Sequence, residues 1–132
     1  CLIPADGFYE WQVIRSGRKQ PVYVRFKAGG VFAFAGLWAC NSSAGGGERD
    51  ELYRCTILTT TPNELLEPIH NRMPVILPSS AFEAWLDPGE SDPFVLQQLM
   101  RPYPASEMSA YVVDCTVNNP RNNSPACISR VQ

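Results

Sequence analysis

Apolar and polar positions alternate with a period of two along residues 22–27, VYVRFK, as is typical of a half-buried strand. Residues 31–38, VFAFAGLW, form a nearly continuous apolar run, which is typical of a mostly buried strand. Ala28, Gly29 and Gly30 separate the two runs, and glycines at such a point favour a tight turn. The pattern therefore predicts a β-hairpin over residues 22–38.

The remaining pattern predicts short helices inserted between further strands. Residues 61–64, TPNE, carry a capping-box motif with proline at the first helical position, so a helix is expected to begin there and to end near Pro68. His70 is then expected in the turn that follows. Further strands are expected over 53–60, 74–77 and 110–117, further helices over 80–86 and 93–100, and polar loops over 41–51 and 118–125.

Strands joined by hairpins, with helices between them, predict an α+β fold: a single domain with an antiparallel or mixed β-sheet and short inserted helices. The length of 132 residues fits one domain, and contents of 45% hydrophobic and 18% charged residues are typical of a globular protein. The formal net charge of -2 argues against binding of duplex nucleic acid through an extended positively charged surface. A local groove for a short single strand remains compatible with that charge.

The cysteines are spread along the chain without a Cys-x-x-Cys pair, which argues against both a disulfide framework and a zinc ribbon. They are Cys1, Cys40, Cys55, Cys115 and Cys127. We therefore expect a reducing, cytoplasmic setting, no metal and no cofactor. No apolar run approaches membrane-spanning length, and a signal peptide is not recognisable. Because the chain opens on an apolar run without an initiator methionine, we expect it to begin inside a longer gene product.

One acidic residue and one histidine are the candidates for proton transfer. Glu10 lies among aromatic residues in the run GFYEW, where burial is expected to raise the pKa of a carboxyl. His70, the only histidine, lies in the run IHNRMP, and histidine is the side chain that titrates near neutrality. Together they are able to move protons in both directions. The alternative is that both are ordinary packed residues with satisfied hydrogen bonds.

Four ordered blocks closely resemble the SOS response-associated peptidase (SRAP) family, and they occupy residues 1–11, 34–38, 56–60 and 69–77. The similarity weakens after Leu99, although 112–118 and 124–128 still look like the family's closing strand and turn. The resemblance implies that residues 1–132 are a SRAP-like domain that lacks its N-terminal part. The family's opening Met-Cys-Gly-Arg segment, and an asparagine that follows it, have no counterpart in this chain.

What the resemblance implies is a sensor of abasic sites in single-stranded DNA. A cysteine that follows the initiator methionine condenses with the deoxyribose aldehyde, and its thiol closes a thiazolidine ring, which gives a stable DNA–protein crosslink. The family is thought to remove that methionine itself, hence the name peptidase. In this chain Cys1 matches an interior Cys-Leu-Ile-Pro block, so it is expected to be a strand cysteine and not the nucleophile.

By resemblance, Glu10 transfers protons during methionine removal and imine formation, and His70 acts on the sugar hydroxyl during ring opening and crosslink reversal. Arg72 is expected to bind a phosphate beside the lesion, Thr59 to donate to the same DNA backbone, and Trp11 to stack on a base. The structural alternatives are an ion pair for Arg72, a buried strand position for Thr59 and a core position for Trp11. The other two tryptophans, at positions 38 and 85, are expected in the core.

Two other functions stay open at this point. A conventional cysteine peptidase would pair Cys40, Cys55 or Cys115 with His70, but these cysteines are expected in apolar strands where a thiol is inert. A non-catalytic core fragment would bind single-stranded DNA without forming a covalent bond. We predict this second behaviour for the isolated chain, and crosslinking for its parent protein.

Overall fold

The fold has nine β-strands and two short α-helices in the part that the computed structural model describes, residues 1–15, 17–41, 52–90 and 92–131. In chain order the strands are β1 (Leu2–Ala5), β2 (Phe8–Val13), β3 (Lys19–Phe26), β4 (Phe32–Asn41), β5 (Leu52–Ile57), β6 (Thr59–Thr60), β7 (Met73–Pro74), β8 (Ile76–Leu77) and β9 (Met108–Val112). The helices are α1 (Phe82–Leu86) and α2 (Pro93–Leu99), and four short 3₁₀ turns lie at Ser79–Ala81, Ala105–Glu107, Cys115–Asn118 and Pro125–Ile128. The predicted α+β class is confirmed.

Two antiparallel sheets share the core. In one sheet, β4 pairs with β1 and β8 through its first half and with β5 from Gly36 to Asn41. In the other sheet, β3 lies between β2 and β9. Strands β6 and β7 form a separate short ribbon. The first half of β4 is buried because it has a neighbour on each side, as expected for its continuous apolar run.

The core lies where the apolar faces of β3 and β4 meet. Val22 and Val24 of β3 contact the same buried cluster as Phe32 and Phe34 of β4. The cluster is completed by Leu66, Met73, Ile76 and Met108. The interdigitation of side chains from two sheets is the usual way in which a sandwich buries both inner faces.

The predicted hairpin between β3 and β4 is wrong. The two strands belong to different sheets, and the intervening turn, with Gly29 at φ +73° and Gly30 at φ +89°, carries the chain from one sheet to the other. The rings of Phe26 and Phe32 lie 4.7 Å apart across this turn. Packing the strands face to face buries both apolar faces at once, whereas pairing them side by side would not bring those faces together.

Other predicted elements differ in extent. The segment 61–68 forms hydrogen-bonded turns and not a helix, and Asn63, not Thr61, accepts a bond from the Leu66 N–H at 3.1 Å. The predicted strand 74–77 is interrupted because the Val75 N–H bonds to Leu58. The strand expected over 110–117 ends at Val112, and a 3₁₀ turn follows it. The strand expected over 53–60 is interrupted at Leu58. Helices at 82–86 and 93–99 confirm the two later predictions. The loop expected over 41–51 lies outside the described residues beyond Asn41.

Candidate functional site

A cavity of about 350 Å³ lies where the end of β5, β6, β7 and the turn at His70 approach β2. It is lined by Phe8, Tyr9, Glu10, Phe34, Ile57, Thr59, His70, Arg72, Met73 and Pro74. Four of the five residues predicted from the sequence for the site, namely Glu10, Thr59, His70 and Arg72, are therefore brought together, although they come from distant parts of the chain.

Glu10 and His70 face each other across this cavity. Glu10 Oε2 lies 4.0 Å from His70 Nδ1, and the side chains are 20% and 45% exposed. Glu10 points toward the cavity because it shares a face of β2 with Phe8, whose ring packs against Phe34 at 5.7 Å. His70 is held by its backbone N–H, which donates to Leu66 O at 2.9 Å. The pair is thus fixed by core packing on one side and by a turn on the other.

The surroundings of Glu10 raise the pKa of its carboxyl. Burial raises its pKa from the ordinary value of 4.5, and this effect outweighs the opposing influence of His70 and of the hydrogen bond from the Trp11 backbone. A carboxyl with a raised pKa is a better proton donor near neutrality than one in water. Glu10 is therefore suited to general acid–base chemistry.

The His70 ring is supported in either protonation state at Nδ1. Unprotonated Nδ1 accepts from the Arg72 N–H at 3.3 Å, and protonated Nδ1 donates to the Arg72 carbonyl oxygen at 3.2 Å. The turn therefore keeps the ring in one orientation while the proton moves, which is what a reversible proton carrier needs.

Thr59 and Arg72 form a second feature of the cavity. Arg72 donates from Nε to Thr59 Oγ1 at 2.7 Å and from a terminal nitrogen to Thr59 O at 2.6 Å. Among the described residues, the side chain of Arg72 pairs with Thr59 and not with a carboxylate. Thr59 is exposed, so the buried-strand alternative is wrong. These two hydrogen bonds hold the Arg72 guanidinium at the cavity.

Trp11 lies outside the cavity. Its ring is 6.3 Å from that of Tyr9, and Nε1 donates to Asn118 Oδ1 at 2.7 Å. Trp11 lines a second groove of about 600 Å³ together with residues 122–125. The predicted contact of Trp11 with DNA remains a prediction, and the structure separates it from the Glu10–His70 pair.

The cysteines do not complete a catalytic dyad with His70. Cys40, Cys55 and Cys115 are exposed, which overturns the expectation that they are inert in apolar surroundings, but none of them lines the cavity. Cys1 continues the ladder of β1: its nitrogen donates to Gly36 O at 2.8 Å, and the Gly36 N–H donates to Cys1 O at 2.9 Å. This is an ordinary strand position, as the sequence predicted.

The expectation that Trp38 and Trp85 lie in the core fails for Trp38. Trp38 is 62% exposed, because it lies beyond the first half of β4, where β1 and β8 pair, and has only β5 as a neighbouring strand among the described residues. Trp85 is half-buried and donates to the Cys1 carbonyl oxygen at 3.0 Å.

Gln12 is a site residue that the sequence reasoning missed. Its Nε2 donates to the carbonyl oxygen of Pro68 at 2.9 Å, two residues before His70. Because Gln12 shares a face of β2 with Glu10, this bond ties the strand that carries the carboxyl to the turn that carries the imidazole. The i, i+2 spacing from Glu10 is the signal that was available in the sequence.

Replacing Gln12 by methionine is expected to loosen the His70 turn. Methionine fills a similar volume but cannot donate, so amide hydrogen exchange at Ile69 and His70 should accelerate about fivefold, the effect of one hydrogen bond of about 1 kcal/mol. Gln20→Met is the matched control, because Gln20 pairs with Gln12 in the sheet but donates to Val113 O, away from His70. Equal exchange rates in the two variants would refute a special role for Gln12.

The raised pKa of Glu10 predicts a pH-dependent cost in stability. Because the folded-state pKa lies above the unfolded value, the contribution of Glu10 is fully present below pH 4.5 and is lost as the pH rises through the folded-state pKa. Glu10→Gln should therefore gain stability relative to the wild type between pH 4 and pH 7. Urea unfolding of both proteins at pH 4 and at pH 7 measures the difference in their free energies of unfolding. A relative loss for the glutamine variant at pH 7 would mean that the attraction to His70 dominates.

Two features are absent from the described residues. No group of three or more His, Cys, Asp or Glu side chains able to hold a metal ion was found there. Among the helices of the same residues, none has the length and apolar character needed to cross a membrane.

Comparisons with known proteins agree on one family. Residues 1–120 match the family described as SOS response associated peptidase (SRAP). The chain is 48% identical over 128 residues to the abasic site processing protein YoqW of Bacillus subtilis, a match that covers 97% of this chain and 56% of that protein. It is 33% identical over 149 residues to the abasic site processing protein HMCES of Xenopus tropicalis, covering 99% of this chain and 43% of that protein.

A solved structure shares the fold. The crystal structure of a protein from Bacteroides thetaiotaomicron superposes with a TM-score of 0.88 at 29% identity, covering the whole of this chain and 56% of that one. The chain spans about half the length of the curated relatives that it matches.

Proposed function

Because the chain belongs to the SOS response associated peptidase family, we propose that the Glu10–His70 cavity processes abasic sites in single-stranded DNA. The observation that carries this proposal is the position of His70 Nδ1, 4.0 Å from Glu10 Oε2, in a cavity that also holds the Arg72 guanidinium. The cavity thus combines two proton-transfer groups with one cation for a phosphate.

The proposed reaction is the capture of a sugar aldehyde by an aminothiol. The ring-opened deoxyribose presents an aldehyde, an amine adds to its carbon, and water leaves to give an imine. A neighbouring thiol then adds across the C=N bond and closes a thiazolidine, with its proton passing to nitrogen. Glu10, with its raised pKa, donates the proton that makes water the leaving group. When the N-terminal methionine is removed, water adds to the carbonyl carbon of the Met–Cys peptide bond, the same carboxylate accepts the proton of that water, and the C–N bond breaks as the proton passes to the leaving amine.

His70 is assigned to the sugar hydroxyl. Opening of the deoxyribose ring needs a proton at the ring oxygen and removal of one from the anomeric hydroxyl, and reversal of the crosslink needs the opposite transfers. An imidazole that is held in place in both protonation states can serve both directions. Its 45% exposure leaves it accessible to the sugar.

The aminothiol is proposed to come from an N-terminal cysteine that precedes the region described. Cys1 is engaged in a strand ladder and does not line the cavity, so it is not a candidate. The chain alone would then bind an abasic strand without a covalent bond. A reducing cytoplasmic setting belongs to the proposal, since the reacting thiol must stay reduced.

A denaturing gel tests the proposed function. The chain and a version extended at its amino end to the family's Met-Cys-Gly-Arg start are each incubated with a single-stranded oligonucleotide that carries one abasic site. We expect a covalent band only from the extended version. A band from the chain alone would assign the reaction to Cys1. If neither gives a band while both retain the strand in a native gel, the non-catalytic binding alternative replaces crosslinking.

Arg72 is expected to contribute one phosphate contact. Arg72→Gln should weaken the binding of the extended version to any single-stranded oligonucleotide, and the slope of log affinity against log salt should fall by about 0.7. Arg101→Gln is the control, because Arg101 lines a separate cavity. An unchanged slope for Arg72→Gln would exclude the phosphate contact and leave Arg72 as a structural partner of Thr59.

A further inference from the structure

A second groove adjoins the Glu10–His70 cavity, and Tyr9 lines both of them. This Trp11 groove has a volume of about 600 Å³ and is also lined by Trp11 and residues 122–125. Within the described residues β2 pairs only with β3, so its second edge carries no further strand. A strand of DNA whose abasic sugar lies in the cavity can therefore continue past Tyr9 into the Trp11 groove.

The lining of the Trp11 groove combines aromatic rings with polar side chains. Tyr9 and Trp11 share a face of β2, and their rings lie 6.3 Å apart. Asn122, Asn123 and Ser124 contribute amide and hydroxyl groups to the same groove. A nucleobase has two flat π faces and a polar edge, so a lining of aromatic rings and amides matches its chemistry.

Hydrogen bonds hold both parts of this lining in place. Trp11 Nε1 donates to Asn118 Oδ1 at 2.7 Å, which fixes the indole ring against the segment that follows β9. Within that segment, Asn122 Nδ2 donates to the Thr116 carbonyl oxygen at 2.8 Å. Because the lining is already ordered, a ligand that enters the groove pays less conformational entropy on binding.

A cation lies beside the aromatic rings on the same face of the sheet. In the pairing of β2 with β3, Trp11 is opposite Pro21 and Val13 is opposite Lys19. Paired residues point to one face, so Lys19 is a diagonal neighbour of Trp11, at about 7–8 Å between Cα atoms. Lys19 is exposed and Val13 is 66% exposed, so this end of the face is open to solvent. Aromatic rings with a cation beside them are what proteins use to hold a single strand.

We propose that the Trp11 groove binds the nucleotide next to the abasic site, with its base against Trp11 and its phosphate beside Lys19. The inference rests on the proposed function in one respect, since it takes the abasic sugar to lie in the Glu10–His70 cavity. Asn123 lines the groove with an exposed amide that can bond the edge of the base. The abasic residue has no base to stack, so the neighbouring base is the nearest one that can hold the strand in register with the cavity.

Removing one base at a time tests the Trp11 groove. The chain is titrated with fluorescent single-stranded thymidine oligonucleotides that carry a central tetrahydrofuran residue, an abasic analogue without an aldehyde, and binding is followed by anisotropy. Two further oligonucleotides also lack the base immediately on the 5′ side or immediately on the 3′ side of the analogue. We expect one of these removals to weaken binding at least fivefold more than the other, the low end of what one stacked base contributes. The flank with the larger loss gives the polarity of the strand.

Matched tryptophan variants assign this difference between the flanks to the groove. Trp11→Leu should reduce the difference to less than twofold. Trp85→Leu should preserve it, because Trp85 is also half-buried and also donates from Nε1, to the Cys1 carbonyl oxygen at 3.0 Å, but lines a separate cavity. Equal effects of the two base removals in the wild type, or a difference that survives Trp11→Leu, would overturn the proposal.

A second pair of variants changes only exposed side chains, so it tests the groove even if Trp11→Leu does not fold. Lys19→Gln should lower the slope of log affinity against log salt by about 0.7, the effect of one phosphate contact on a single strand. Lys27→Gln is the control, because Lys27 is an exposed lysine just beyond the other end of β3. Equal slopes in the two variants would refute the contact of Lys19 with the phosphate and, with it, the proposal.

These binding measurements are independent of the proposed chemistry, because the tetrahydrofuran analogue has no aldehyde to capture. A difference between the flanks, together with a failure of the extended version to crosslink a true abasic site, would refute the proposed function and leave the nucleotide groove intact. Crosslinking by the extended version without any difference between the flanks would refute the groove and leave the proposed function intact.

Discussion

Replacing Glu10 by glutamine in the extended protein is expected to slow crosslink formation by about 10²–10⁴-fold, the usual contribution of a positioned acid–base group. Glutamine preserves the size of the side chain and accepts hydrogen bonds, but it cannot deliver a proton to the departing water. His70→Gln should slow crosslink reversal by a similar factor, because the imidazole is the group held in place for both protonation states. Single-turnover gels over time measure both rates.

Because His70 is also assigned to the opening of the sugar ring, both single variants should slow crosslink formation, and the double variant should slow it by less than the product of the two effects, since residues that act as a unit are not additive. Glu64→Gln is the matched control, because Glu64 is an exposed carboxylate on the segment that leads to His70. Glu10→Gln should be at least as stable as the wild type at pH 7, so unfolding would not explain its inactivity. Crosslink formation within threefold of the wild type in Glu10→Gln would remove Glu10 from the chemistry, and crosslink reversal within threefold in His70→Gln would remove His70.

Replacing Asn63 by alanine is expected to destabilise the protein by about 2 kcal/mol, because the Tyr103 carbonyl loses its donor and the Leu66 N–H keeps only the backbone carbonyl of residue 63 as its acceptor. Asn63 is 7% exposed, donates to the Tyr103 carbonyl oxygen at 2.6 Å and accepts from the Leu66 N–H at 3.1 Å. It thus joins the turn before His70 to the segment before β9. Urea unfolding measures this loss of unfolding free energy as a lower midpoint, with an unchanged m value.

Replacing Asn63 by alanine should also loosen the turn that carries His70. Without its cap the turn is less firmly held, so hydrogen exchange at His70 should accelerate more than in Gln12→Met. Asn71→Ala is the control, because Asn71 is an exposed asparagine next to His70. A cost below 1 kcal/mol for Asn63→Ala would mean that water replaces both hydrogen bonds.

Features decided by near neighbours could be predicted from the sequence. Helix α2 begins at Pro93, as expected, because proline suits the first turn, and Asp92 accepts from the Phe94 N–H at 2.8 Å. The four family blocks selected Glu10, Thr59, His70 and Arg72, and the structure places all four on one cavity. Capping, turn chemistry and short motifs depend on a few adjacent residues, so they can be recognised from the sequence alone.

Features that need distant partners could not be predicted in this way. A period of two identified β3 as a strand and a continuous apolar run identified β4, but their assignment to different sheets depends on which apolar faces meet in the core. Likewise, the apolar surroundings of Trp38 in the sequence suggested burial, whereas exposure depends on what covers that half of β4. Gln12 escaped notice because its partner, Pro68, is 56 residues away.

The amino-acid sequence by itself determined the α+β class and the family, and it selected Glu10 and His70 as the candidates for proton transfer. Only the tertiary structure decided that Glu10 lies 4.0 Å from His70, that burial raises the pKa of Glu10, and that Thr59 holds Arg72 at the same cavity. The reason is physical: side-chain type and periodicity are local properties of the chain, whereas distance, burial and electrostatic environment are set by contacts between segments far apart in sequence.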